Sequence, residues 1–189
     1  MKSYRSLATY PVSLPISPDD IVEFHLARIL LLIRLCGSSN KINGLTKFAK
    51  LDFFVRYPDF FKRAISETDK GSEEVQLQVL KTGSVESSMV RHHYGPWDKR
   101  YYHILAHLAA KKLIEVSKHK NTYIIRLTEE GKVRADMLKK DSSFKDLTSH
   151  MAQVKKSFGH KNGTFLKNLI YKTFDKEVAD RPLGERIDL

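Results

Sequence analysis

Residues 89–108, "MVRHHYGPWDKRYYHILAHL", gather the side chains most able to do chemistry: four histidines, Arg91, Lys99, Arg100, three tyrosines and the only tryptophan of the chain. Such a set could ligate a metal, move protons, read a nucleic acid or dock a partner. His103 and His107 stand four apart, with His92 and His93 close by, so a two-histidine metal face is geometrically possible. No carboxylate or thiol stands at helical spacing to complete it. The sequence has no G-x-x-x-x-G-K-[ST], no H-E-x-x-H, no glycine-flanked serine elbow and no cysteine pair. Nucleotide hydrolysis, zinc proteolysis and α/β-hydrolase chemistry therefore lack their usual signals. The expectation is a protein that is not an enzyme and carries no cofactor. Arg91, Tyr94, Lys99 and Arg100 remain as candidates for binding a partner's carboxylate or phosphate, the alternative being internal pairing with Glu86 or Asp98.

The elements that must position these groups begin at "GPWD". Gly95 permits an unusual φ, Pro96 suits a first helical position, and Asp98 sets a negative charge at a helix's positive end, so this tetrapeptide predicts a helix start. From Trp97, residues Tyr101, Ile104, Leu105, Leu108 and Ala109 recur at spacings of three and four and should face the core. Lys99, Arg100, His103 and Lys111 should then lie outside. After Lys111-Lys112 come "LIEV", a polar turn "SKHKN" and the β-branched run "TYIIRL", which read as a hairpin. Thr128, followed by Glu129 and Glu130, caps a further helix.

Upstream, three prolines make residues 1–18 an extended arm. "SPDD" starts a helix with Ser17 as cap, and its apolar content from Ile21 to Ile33 covers much of its circumference, which argues for a central position. "LTKFAKLDFFVRYPDFFKRAI" predicts two helices meeting at Tyr57-Pro58. The polar stretch 67–83 reads as a break or crossing loop. After Asp141, amphipathic helices are expected around 144–158 and 164–174. The fold class is mainly α (α+β): a winged-helix-like domain over 19–140 with a small β-hairpin wing, and additional C-terminal helices and a tail over 141–189.

Composition bounds the partners. With 33 Lys and Arg against 22 Asp and Glu, the net charge of +11 favours polyanions. The wing and recognition helix offer Lys111, Lys112, Lys118 and Lys120 to DNA phosphates, with no Asn or Gln set to read adenine, so contact without sequence preference is favoured. Cys36 lies in the apolar run "LLIRLCG" and reads as a buried small hydrophobe in a reducing, cytoplasmic setting. The longest apolar run is flanked by Arg28 and Arg34 and falls short of the roughly 20 residues that span a bilayer.

"ESSMVRHHYGPWDKRYYHILAHLAAKKLIEV", with the earlier "KLDFFVRYPDFFKRAI", resembles the small middle component of bacterial ABC-three-component systems, the group that includes the accessory subunit of Lamassu defence complexes. The resemblance covers about residues 20–138. Tyr57-Pro58 and the block Met89, Val90, Arg91, Tyr94–Asp98, Arg100 and Tyr101 carry it; the His92-His93 pair departs from the pattern, and the tail after Asp141 holds no assignable motif. It implies an accessory protein without an active site, which binds an SMC/Rad50-like coiled-coil ATPase, with an effector nuclease completing the complex. A winged-helix transcription regulator that binds DNA is the alternative.

Overall fold

The computed structural model describes residues 21–68, 89–92, 95–175, 178, 180, 182–185 and 187. The expected arm 1–18 and positions 69–83 of the polar break lie outside the described residues; the first helix begins at Val22 after an extended Ile21, four residues later than the start expected from "SPDD". Helix α1, Val22–Cys36, is buried continuously from His25 to Ile33. A helix that is apolar almost all round has to be enclosed, and α1 is the post on which the other elements pack. Helices α2, Leu45–Arg56, and α3, Pro58–Thr68, meet at Tyr57-Pro58 as the spacing predicts. Proline cannot donate to the preceding turn and is suited to a first helical position, so one helix stops and the next starts there. Their aromatic residues interlock with later ones. Phe54 and Phe158 lie with ring centroids 4.7 Å apart, Phe60 and Phe174 4.5 Å apart.

Strand β1, Lys41–Asn43, lies within the glycine- and serine-rich segment 36–44, "CGSSNKING". It pairs with β5, Thr122–Leu127, which also pairs with β4, Ile114–His119, giving an antiparallel sheet in the order β1-β5-β4. The register sets Ile42 opposite Ile125 and Ile114 opposite Leu127. These residues share one face of the sheet and are all buried. The β4–β5 pairing continues to His119 and Thr122, so the turn is the pair Lys120-Asn121, not the five residues "SKHKN". Lys120 takes φ 51°, as a tight hairpin of this length demands. Helix α4, Tyr101–Ala110, precedes this hairpin and α5, Glu129–Lys140, follows it. The Thr128 hydroxyl caps α5 as expected, accepting from the Gly131 amide at 3.0 Å.

The order α1-β1-α2-α4-β4-β5-α5 with this sheet is a winged helix, with β4–β5 as the wing and α4 as the helix before it. Helix α3 and a small hairpin, β2 (Val90–His92) with β3 (Gly95–Trp97), are inserted between α2 and α4. Helices α6, Lys145–Phe158, and α7, Gly163–Thr173, fall where periodicity puts them. Met151, Val154, Phe158, Leu166 and Ile170 are almost wholly excluded from solvent and pack in the same hydrophobic cluster as α1 and α2. The segment set apart in sequence as a C-terminal appendage thus contributes to the common core. The last residues also have a structural task. The Arg91 amide donates to Glu185 O at 2.8 Å, and the Gly184 and Ile187 amides donate to Arg91 O and Met89 O at 2.7 Å, so the tail covers the β2 edge.

Gly131 is fixed by a close approach. A Cβ there would lie 1.9 Å from the Leu113 carbonyl oxygen, a backbone atom that accepts from the Thr128 amide. Alanine gains about 1 kcal/mol over glycine in an open helix interior, but the overlap forces α5 away from the wing. Gly131→Ala is expected to destabilise by about 1–3 kcal/mol in urea unfolding; unchanged stability would contradict this docking of α5.

Candidate partner and nucleic-acid interface

Beneath the surface of this region lies a network of buried charges. Arg28 of α1 is fully buried and donates to Asp52 of α2, and the other Asp52 oxygen accepts the Tyr101 hydroxyl at 2.7 Å. Burial, then the Asp52 charge, push the Tyr101 phenol well above its ordinary pKa, so it stays a donor. Asp98 accepts from Arg56 at 2.8 Å, from the Arg100 guanidinium at 2.8 and 3.0 Å and from the Arg100 amide at 2.9 Å. Burial alone would raise the Asp98 pKa. The hydrogen bonds from Arg100 and the charges of Arg56 and Arg100 outweigh it and hold the carboxyl well below the usual carboxylate range.

The two clusters meet at His25. Arg100 Nη1 lies 2.9 Å from His25 Nε2, and Arg28 Nη2 lies 3.5 Å from Nδ1. Guanidinium only donates, so Nε2 is the acceptor; a neutral ring then carries its proton on Nδ1, and the longer approach is a contact without a hydrogen bond.

This network changes the reading of "GPWD". Gly95–Trp97 is strand β3 and α4 starts only at Tyr101, so Pro96 does not occupy a first helical position. Gly95 does take a positive φ, 92°, and brings the chain into register with β2, where Pro96 sits opposite Arg91. Proline is tolerated in such a short edge strand because it has no donor to leave unpaired. Its carbonyl is used: Lys50 Nζ, almost completely buried, donates to Pro96 O at 2.9 Å. Burial, with repulsion from Lys167, pulls the Lys50 pKa down to about 7.

Outside the network the same segment forms an aromatic ledge. His92, Trp97 and Tyr102 run side by side, with centroid separations of 5.6 Å and 5.7 Å. Trp97, expected in the core, is half-buried because it belongs to a strand at the rim, and it meets the core edge-on through Tyr101 at 5.1 Å. The ledge separates two depressions. One, of about 310 Å³, includes Arg91, Lys99 and Leu183 in its walls. The other, of about 370 Å³, lies between the ledge, the start of α2 with Lys50, and Tyr123 of the wing.

The candidate residues divide accordingly. Arg91 and the exposed Lys99 border the first depression. Arg100, expected on the outer face, is turned inward onto Asp98, the internal pairing weighed against partner binding. Tyr94 lies outside the described residues. Lys118 stands 5.7 Å over the Tyr123 ring, and Lys120 projects from the wing turn. Lys111 and Lys112 are exposed but sit past the far end of α4, about 15 Å from its start by helical rise, so the four wing and helix lysines do not form one patch. The outer face of α4 presents Tyr102, His103, Ala106, His107 and Ala110. Among the described residues, no group of three or more His, Cys, Asp or Glu could hold a metal ion. Cys36 is buried, its thiol pushed up to about 12 by burial, in line with a small core residue.

Within the charge network, the Arg100–Asp98 pairing is open to view in the sequence, while the links among Arg28, Asp52, Arg56 and His25 join distant stretches whose local trace is charge inside apolar runs: Arg28 in "HLARILLL", Asp52 in "KLDFFV". Comparison with protein-family models, with characterised proteins and with solved structures returned no match.

Lys50 gives a pH signature. The unfolded chain keeps this proton to about pH 10.4, whereas the folded chain releases it near 7. Between those values the unfolded state binds more protons, so stability rises with pH; below 7 and above about 10.4 the contribution is flat. Lys50→Met is expected to lose up to about 1.4 kcal/mol per pH unit of that slope. Parallel pH dependences of the two proteins in urea unfolding would show that Lys50 is not the group responsible.

Proposed function

We propose that this chain is a non-catalytic accessory subunit that bridges the heads of an SMC/Rad50-like ATPase and an effector nuclease in a bacterial defence complex, and that its wing touches duplex DNA without reading sequence. The observation that carries this reading is how residues 89–101 are used. Asp98, Arg100 and Tyr101, which look available for chemistry, are engaged by Arg56, His25 and Asp52. The two separated blocks that suggest the family also touch: the Met89 amide donates to Tyr57 Oη at 2.8 Å. They act as one scaffold, and a scaffold is what an adaptor requires.

The DNA component rests on charge and on what the exposed helix face omits. Lys99, Lys118 and Lys120 are exposed and make no ion pair with the described residues. The outer face of α4 offers no Arg, Lys, Asn or Gln along its length for bidentate base contacts. Phosphate contact from the wing fits that composition better than operator recognition by a regulator.

Co-expression with a neighbouring coiled-coil ATPase and nuclease should give one co-eluting complex; elution of this chain alone would reject the adaptor role. In a titration of labelled duplexes, affinity should be similar for unrelated sequences, and Lys118→Glu with Lys120→Glu should reduce the salt slope by about 2. A preference of a thousandfold or so for one sequence would favour the regulator instead.

A further inference from the structure

The depression of about 370 Å³ beside the ledge brings together features that phosphate contact with a duplex does not need. Trp97 and Tyr102 supply adjacent ring faces, with centroids 5.7 Å apart and planes inclined by 48°. Tyr123 contributes a third ring from the wing. Tyr102 is 62% exposed and Tyr123 41% exposed, large values for rings that could have been buried. Among the described lining residues the only ammonium belongs to Lys50, held by its bond to Pro96 O, and its remaining protons suit a carbonyl acceptor. Cations surround the rings: Lys118 lies over Tyr123, Lys120 is in the adjoining turn, and Lys99 is on the other side of the ledge.

We propose that this cleft binds single-stranded DNA, one unpaired base entering between Trp97, Tyr102 and Tyr123 while Lys99, Lys118 and Lys120 hold the flanking phosphates. Aromatic platforms beside a basic track are how proteins grip an unpaired strand without sequence preference, since every base has a π-face. A base inside a duplex is stacked on its neighbours and cannot enter. The site therefore distinguishes a frayed end or a gap from intact duplex, which phosphate contact alone does not do. It rests on the proposed DNA contact and adds a ligand class to it.

The chain contains one tryptophan, so its emission reports Trp97 alone. A short oligothymidylate titrated into the full chain should quench that emission and bind more tightly than blunt duplex of equal length. Tyr102→Ala, which alters an exposed ring, should weaken the oligothymidylate roughly tenfold and leave affinity for labelled duplex within about twofold, and Tyr102→Phe should restore binding. Duplex binding with no quenching by oligothymidylate overturns the cleft assignment and leaves the duplex reading standing. Equal quenching by duplex also overturns it, by making the ledge part of the duplex surface. Tighter binding of oligouridylate would move the assignment from DNA to RNA. If neither strand nor duplex binds, the DNA reading itself fails and the cleft assignment falls with it.

Discussion

Two aspartates decide where three arginines can sit, and the rest of the region follows from that. A guanidinium taken out of water is tolerated only where an anion and further acceptors meet it. Arg28 and Arg56 are inside because Asp52 faces the one across the α1–α2 boundary and Asp98 meets the other from the turn before α4. Apolar faces can slide past one another at little cost, whereas a buried ion pair has one satisfactory register. Asp52 thus links α1 to α2 and, through Tyr101, to the first residue of α4. Asp98 links α2 to the turn before α4. His25 joins the two, accepting from Arg100.

That internal use of charge determines what the protein can show to a partner. A chain with a net charge of +11 has more cations than its carboxylates can neutralise. Those closest to the candidate segment are placed in two ways. Arg28, Arg56 and Arg100 are drawn inward, and Lys50 is buried beside a carbonyl with its charge weakened. Lys99, Lys118 and Lys120 remain in solvent, on either side of an aromatic ledge. The outer surface is thus basic and aromatic, while Asp52, Asp98, Tyr101 and His25 hold the scaffold together.

Local signals were legible and long-range ones were not. The continuous burial of α1, the break at Tyr57-Pro58, the Thr128 cap and the spans of α6 and α7 depend on residues within a turn or two of each other. Strand β1 has three residues, too few for alternation to appear, and exists because β5 pairs with it. Pro96 suits a helix start and an edge strand equally well; pairing with Arg91 selects the strand. Arg100 falls on the outer face by helical spacing, yet Asp98 and His25, the latter 75 residues away, draw it inward. The ledge pocket needs Tyr123 of the wing beside Trp97 of the inserted hairpin, and neither stretch mentions the other.

Arg56 and Asp98 form one cooperative unit that seats the inserted hairpin and the start of α4 on α2. A double-mutant cycle tests it most directly: wild type, Arg56→Met, Asp98→Asn and the double variant, each unfolded in urea at neutral pH. A coupling energy of about 1–3 kcal/mol is expected, because the second substitution removes a partner already lost. Losses that add to within about 0.5 kcal/mol would mean the two residues act independently, and the network would not be what positions the site.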